Sequence, residues 1–253
     1  MKCNPTVKDI YNFIDGIAPF SKQCEWDNSG LIVGSADKKV NKIGVVLDIT
    51  SEAVSKAKEL GVDLIISHHP VIFRATKSFL ADDPAYLLAS SSISAICAHT
   101  SLDCAKGGVN DVLAKTLGFK NTSSISDEGE LSILRIAETE AITGEALARM
   151  TAEKLKTSVR LADCGNEIRK IALCGGAGGD FIKDVVKYGC DAYITGDASH
   201  HEFLESLELG LTLIAAGHFE TENPVVADLA ERIKAEFDTE IVIIPQNSPV
   251  KYF

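Results

Sequence analysis

With 253 residues, 45% of them apolar and 24% charged, the chain reads as an ordinary soluble globular protein with surface enough to bury one large or two smaller cores. A net charge of −11 and the lack of any Lys/Arg run argue against a nucleic-acid backbone or an anionic membrane as partner. No apolar run approaches the ~18 residues that a membrane span needs. The seven cysteines are odd in number and form no CxxC pair. Together with an N-terminus, Met1-Lys2-Cys3-Asn4-Pro5, that lacks an apolar signal core, they suit a reduced cytoplasm and offer no thiolate metal site.

Taken in order, the chain alternates helices and strands. Thr6 caps a first helix, with Asp9 at the capping-box position and Val7, Ile10, Tyr11, Ile14 and Ala18 on one face; Pro19 ends it. Glu25-Trp26-Asp27-Asn28-Ser29-Gly30 is a polar loop holding the only Trp, and Leu31 to Gly34 a short strand. Ile43 to Leu47 is a buried strand, and Ser51 to Leu60 a helix stopped by Gly61. Val62 to Ile66 is a buried strand that runs into Ser67-His68-His69-Pro70. Phe73 to Asp83 is an irregular loop, and a helix from Pro84 to Ser90 leads to the strand Ile93 to Ala98. Val109 to Leu117 is a helix ended by Gly118, and Asn121 to Glu130 is the one linker-like stretch.

Beyond the linker, Leu131 to Ala137 alternates like a strand, and Ala146, Leu147, Met150 and Leu155 mark a helix. The strand Ile171 to Cys174 precedes the run Gly175-Gly176-Ala177-Gly178-Gly179, followed by a helix from Asp180 to Tyr188. Asp191 to Thr195 is a strand, His200 to Leu207 a helix, and Leu211 to Ala216 a strand. Asn223 and Pro224 open the next helix, and Ile241 to Ile244 is the last strand.

Three of these strands end on histidine. His68 and His69 follow one strand, and Pro70, with no N–H to donate, stops the ladder there. His99 and His218 follow two others, each with a carboxylate four residues on, Asp103 and Glu222. In open α/β sheets ligands bind at such strand ends. Imidazole with carboxylate suits Zn, Mn, Fe or Ni, and four His with two carboxylates exceed what one tetrahedral ion needs, which points to two divalent ions per chain.

Ile43 to His69 and Ile171 to Asp197 match at an offset of 128, and the two His-x-x-x-acid stretches at 119. The fold class expected is therefore α/β, from internal duplication. The first α/β repeat takes 1–120, joined by the C-terminal segment 223–253; the second takes 124–222; the metal site lies between them, a favoured place for pockets.

The stretches Glu25 to Leu31, Ser67 to Pro70, His99 to Asp103, Cys174 to Gly178 and Gly217 to Glu222, in this order, resemble the dinuclear metal-centre family of GTP cyclohydrolase I type 2 homologues, also described as NGG-interacting-factor-like. The resemblance spans essentially the whole chain. It implies two intertwined α/β domains with mixed sheets flanked by helices, and a toroidal homohexamer. It implies metal ligands at His68, His69, Asp103, His218 and Glu222, with His99 a neighbour and Glu220 a competitor to Glu222. The family name implies hydrolytic opening of the GTP imidazole ring.

Other residues leave two uses open. The Gly175-Gly176 run before a helix suits either an anion or tight helix–strand packing. His200-His201 are either acid/base groups for substrate or an exposed helix start. Trp26 with Asp27 can stack and bond a nucleobase, although a Trp anchored in the core is the reading preferred here. No Ser, Cys or Lys stands in a nucleophile motif, which leaves metal-activated water and no assigned catalytic side chain. Two functions follow. One is a metal-dependent hydrolase of a nucleotide or other phosphorylated small molecule; the other is a non-catalytic metal-binding, metal-delivery or regulatory interaction protein.

Overall fold

The computed structural model describes residues 4–124 and 132–251. Cys3, Leu131 and residues 125–130 of the expected linker lie outside them. The chain forms two compact units, one of Met1–Lys106 with Val226–Asn247, the other of Gly107–Val225 with Ser248–Phe253. Each holds a mixed sheet flanked by helices, so the expected α/β class is observed.

The first unit is built on strands β1 (Gly30–Val33), β2 (Lys42–Val46), β3 (Leu64–Ser67) and β4 (Ser94–Cys97), with a returning strand Glu240–Ile243. Among the described residues the sheet order is β1-β4-β3-β2-returning strand. All neighbours are parallel except β1, which runs antiparallel to β4 at the edge. Every residue of β3 and β4 is buried. That is the signature of parallel strands covered on both faces, and it explains why they read as unbroken apolar runs. Helices α1 (Val7–Ile17), α2 (Ser51–Leu60), α3 (Pro84–Ser90) and α4 (Thr100–Cys104) belong to this unit.

Local chemistry fixes the helix ends. Thr6 Oγ1 accepts from Asp9 N at 3.2 Å while Asp9 Oδ2 accepts from Thr6 N at 2.7 Å, the reciprocal capping box expected; such a cap contributes about 1 kcal/mol. Thr50 caps α2, and Gly61 closes it at φ 70°, a left-handed conformation that costs a residue with a Cβ.

The second unit contains strands β5 (Thr122–Ser124), β6 (Arg135–Ile142), β7 (Arg160–Ala162), β8 (Ile168–Cys174), β9 (Ala192–Thr195) and β10 (Thr212–Ala215). Their order is β5-β6-β8-β9-β10-β7, with β8, β9 and β10 parallel and β7 antiparallel to β10 at the edge. The helices are α5 (Val109–Leu117), α6 (Gly144–Leu155), α7 (Ile182–Lys187), α8 (His200–Glu208) and α9 (His218–Glu222). A further helix, Pro224–Glu236, carries the chain into the returning strand.

The two units share one internal plan. Val46, Ser67 and Cys97 stand abreast on β2, β3 and β4; Cys174, Thr195 and Ala215 stand abreast on β8, β9 and β10. The offsets are 128 (46 to 174), 128 (67 to 195) and 118 (97 to 215), and each trio has an antiparallel strand against its third member. An extra residue, Gly217, makes the His99–His218 spacing 119.

Several elements depart from the sequence reading. The strand ends at His99 and His218 turn directly into short helices, α4 and α9. Strands β5 and β7 were not expected, being three-residue edge pieces too short to show a period. The helix expected from Asp180 begins as a 3₁₀ turn over Gly179–Phe181. Among the described residues no helix is long and apolar enough to cross a membrane.

Ile65 of β3 is fully buried in a cluster with Val46, Ala53, Val54, Ala57, Leu88, Ile93 and Ala95. Ile65→Ala should cost about 2–5 kcal/mol in urea unfolding at fixed protein concentration. Lys56→Ala, which removes an exposed ion pair to Glu59, should stay within about 1 kcal/mol of the parent. Equal midpoints for the two variants would contradict this account of the core.

Candidate metal centre

In the first unit the side chains come from three strand ends. Ser67 closes β3, and its Oγ donates to His69 O at 2.8 Å, while His69 N donates to Leu47 O at 3.0 Å. The turn carrying the two imidazoles is therefore pinned to the strand end beside it. His68 is buried and its Nδ1 lies 2.9 Å from Ala98 O. A carbonyl only accepts, so Nδ1 carries the proton and Nε2 presents its lone pair. His69 Nδ1 meets Asp48 Oδ1 at 2.7 Å, and His99 Nδ1 meets Asp27 Oδ1 at 2.8 Å. His68, His69 and His99 each offer a ring nitrogen within 4.8 Å of the others. Buried Asp103, at i+4 from His99 in α4, places Oδ1 3.5 Å from His68 Nε2.

Asp27 organises this side of the site. Its side chain is wholly buried, and its oxygens accept from His99 Nδ1, Thr100 N, Thr100 Oγ1, Asn28 N and Ser29 Oγ. Burial alone pushes the carboxyl pKa up, but the hydrogen bonds from His99 and Thr100 and the attraction of His99 outweigh it and hold the group well below the usual carboxylate range. With its lone pairs so engaged, Asp27 supports His99 and is closed to a nucleobase.

In the second unit, His218 opens α9 and Glu222 lies one turn on, with Nε2 and Oε2 3.1 Å apart. His218 Nδ1 is 2.9 Å from Asp197 Oδ2. Glu222 is buried. Glu220 instead folds its carboxylate back over Gly217, where any Cβ would overlap it. Of the two acids, Glu222 is the one placed beside the imidazole.

The other sequence candidates separate cleanly. The N–H groups of Gly175, Gly176 and Gly178 donate to Asn110 Oδ1, Thr221 Oγ1 and Thr195 Oγ1. Those three donors are engaged within the chain, and Gly175 and Gly176 pack closely against Glu222. A Cβ on Gly176, at φ 64°, would overlap Glu222 Oε1 and come within 3.3 Å of His218 Nε2. His200 and His201 are exposed at the start of α8, where His201 Nδ1 lies 2.9 Å from the capping Ser199 Oγ. Trp26 corrects the core reading, being 59% exposed. The sequence gives its loop no apolar neighbours on which a core could close.

The donor chemistry fits divalent metal. All four imidazoles have Nδ1 tied to an oxygen, the arrangement that fixes the tautomer and orients Nε2 for a cation. Carboxylates stand 3.5 Å and 3.1 Å from two of those Nε2 atoms. Thiols take no part among the described residues. Cys97 donates its S–H to His68 O, and burial pushes its pKa up, so it stays a thiol at neutral pH. Of the supporting carboxylates, Asp27 was a sequence candidate, whereas Asp48 and Asp197 were not expected in these roles. Asp48 and Asp197 each stand two residues past a strand end, a signal that was present in the sequence.

Residues 5–249 match the Duf34/NIF3 (NGG1p interacting factor 3) family. A Clostridium perfringens protein named GTP cyclohydrolase 1 type 2 homolog is 36% identical over 252 residues, covering 94% of this chain and 95% of its own. The crystal structure of Staphylococcus aureus hypothetical protein SA1388 superposes with a TM-score of 0.92 at 28% identity, over 99% of this chain and 100% of that one. Reduced HcgD from Methanocaldococcus jannaschii gives 0.85 at 29% identity, over 96% and 99%.

Gly176→Ala should leave a folded protein, since left-handed strain costs only about 1–2 kcal/mol. It should nevertheless displace the Glu222 carboxylate and the His218 ring. Elemental analysis of protein purified with supplemented Zn or Mn should show lower metal content than the parent, with an unchanged circular dichroism spectrum. Full metal content in Gly176→Ala would show that this glycine does not make room for the ligands.

Proposed function

This chain belongs to the Duf34/NIF3 family, and from that premise we propose that it is a metal-dependent hydrolase of a nucleotide or other phosphorylated small molecule. His68, His69 and Asp103 of the first unit, and His218 and Glu222 of the second, would hold two divalent ions. The observation that carries the reading is the common tie of each imidazole through Nδ1, which leaves Nε2 as the donor atom. The name borne by relatives such as the C. perfringens protein supports a nucleotide substrate. Free Cys24, Cys97, Cys164 and Cys190 support a reducing, cytoplasmic setting.

Divalent ions at such a site supply Lewis acidity and bring water into reach as a nucleophile near neutral pH. The chain's own part is to hold the donors. Asp48 and Asp197 keep the protons of His69 and His218 on Nδ1 and raise the basicity of the opposite nitrogen. Asp103 and Glu222 bring negative charge beside His68 and His218, which lowers the cost of gathering cations.

His69→Ala or His218→Ala should lower metal content by at least about tenfold under limiting metal, by analogy with other ligand-shell losses. Cys104→Ala should match the parent. Full retention of metal in His218→Ala would refute the ligand set. Turnover on a panel of nucleotides and phosphoesters should vanish on chelation and return with added divalent ion. Bound metal without turnover on that panel would favour metal holding or delivery.

We also propose a homohexamer, in line with the family. Light scattering at micromolar concentration should give about six times the chain mass of 27.1 kDa, and a monomer of that mass would overturn the assembly.

A further inference from the structure

We propose that Trp26 and Phe73 form a stacking platform that receives a planar heteroaromatic ring of purine size beside His68, His69 and His99. The proposal rests on reading that group as a metal centre and names the class of molecule brought to it.

Trp26 and Phe73 are 59% and 43% exposed, so the fold leaves much of their apolar area unused. They come from loops 44 or more residues apart in sequence, yet their ring centroids lie 5.7 Å apart at 55°. Both rings stand edge-on to one partner, His99, at 5.9 Å and 6.0 Å. His99 in turn lies 5.2 Å and 5.4 Å from His68 and His69, centroid to centroid. The exposed aromatic faces thus adjoin the imidazole group directly.

The platform is held in place from below. Asn28 Nδ2 donates to Ile72 O at 2.6 Å and ties the two aromatic loops together. Asp27, next to Trp26, is locked by His99 and Thr100. Two rigid aromatic faces set on loops at a ligand cluster serve a flat ring better than an aliphatic chain, because stacking is strongest between parallel π surfaces and costs few rotamers. A ring stacked on either face would lie close to His99.

Trp26 is the only tryptophan in the chain, so its emission reports on this place alone. Guanosine 5′-monophosphate and adenosine 5′-monophosphate added to metal-loaded protein should quench it, and ribose 5-phosphate should not. Trp26→Ala should weaken calorimetric affinity for both nucleotides by about 5- to 100-fold, as expected for the loss of one base stack. Trp26→Phe should restore most of the affinity, with metal content unchanged in both variants. Quenching by the nucleotides in protein that takes up no added Zn or Mn would uphold the platform while removing the metal reading. Normal metal content with no nucleotide binding, or with equal affinity in Trp26→Ala, would remove the platform and leave the metal reading standing. Emission that resists acrylamide in the free protein would show the face covered by protein and would also overturn the proposal.

Discussion

Everything at the candidate centre depends on one repeated bond, from imidazole Nδ1–H to an oxygen. It occurs at His68 to Ala98 O, His69 to Asp48, His99 to Asp27 and His218 to Asp197. Without it a histidine at a strand end would choose between tautomers and rotate about two torsions. With it, one nitrogen is committed and the other is aimed, so the entropy of arranging donors is lost when the chain folds and not when a cation arrives. Three of the four acceptors are carboxylates, and their charge makes the exposed nitrogen a better donor.

The shared plan of the two units shows how one frame yields different sites. In the first unit the residues two past the ends of β2, β3 and β4 are Asp48, His69 and His99. In the second, the positions two past β8 and β9 hold Gly176 and Asp197, and His218 lies three past β10. The carboxylate–imidazole pair therefore joins the first two strands of one trio, Asp48 with His69, and the last two of the other, Asp197 with His218. By the offset of 128, Gly176 corresponds to Asp48 and Asp197 to His69. A pair that has moved one strand over, on matched registers, is what point substitution in a duplicated scaffold would leave.

Much of this was legible in the sequence, for definite physical reasons. Buried parallel strands must be continuously apolar, so β3, β4, β9 and β10 announced themselves, and a histidine after such a run has to sit at a strand end. Thr6 with Asp9, Gly61 and Gly118 marked helix ends because their geometry admits few residues. The spacing His-x-x-x-acid was seen without its cause, which at His218 and Glu222 is one turn of the short helix α9 placing both groups on one face, while Asp103, one turn past the capping His99, meets His68 instead. Which aspartate meets which imidazole was not legible. The partners lie 21 to 72 residues away, and although Asp48 and Asp197 stand two past a strand end, nothing in one sequence says which histidine each meets. Trp26 was misjudged because tryptophan usually buries, whereas here the polar residues around it are consumed in fixing His99 and leave the ring outside.

The glycines of the second unit complete the logic of aimed donors, because aim requires the space behind the donor to be filled with backbone. A Cβ on Gly196 would fall 2.6 Å from Gly176 O, 2.7 Å from Thr221 Oγ1 and 2.9 Å from the Cα of His218. The strand end, the glycine turn and the first turn of α9 are thus packed main chain to main chain. Thr221 Oγ1 ties them further, accepting from Gly176 N at 3.1 Å while lying 2.9 Å from both Gly217 O and His218 O. A backbone in such contact moves as one piece, so the His218 and Glu222 donors that stand on it keep their spacing.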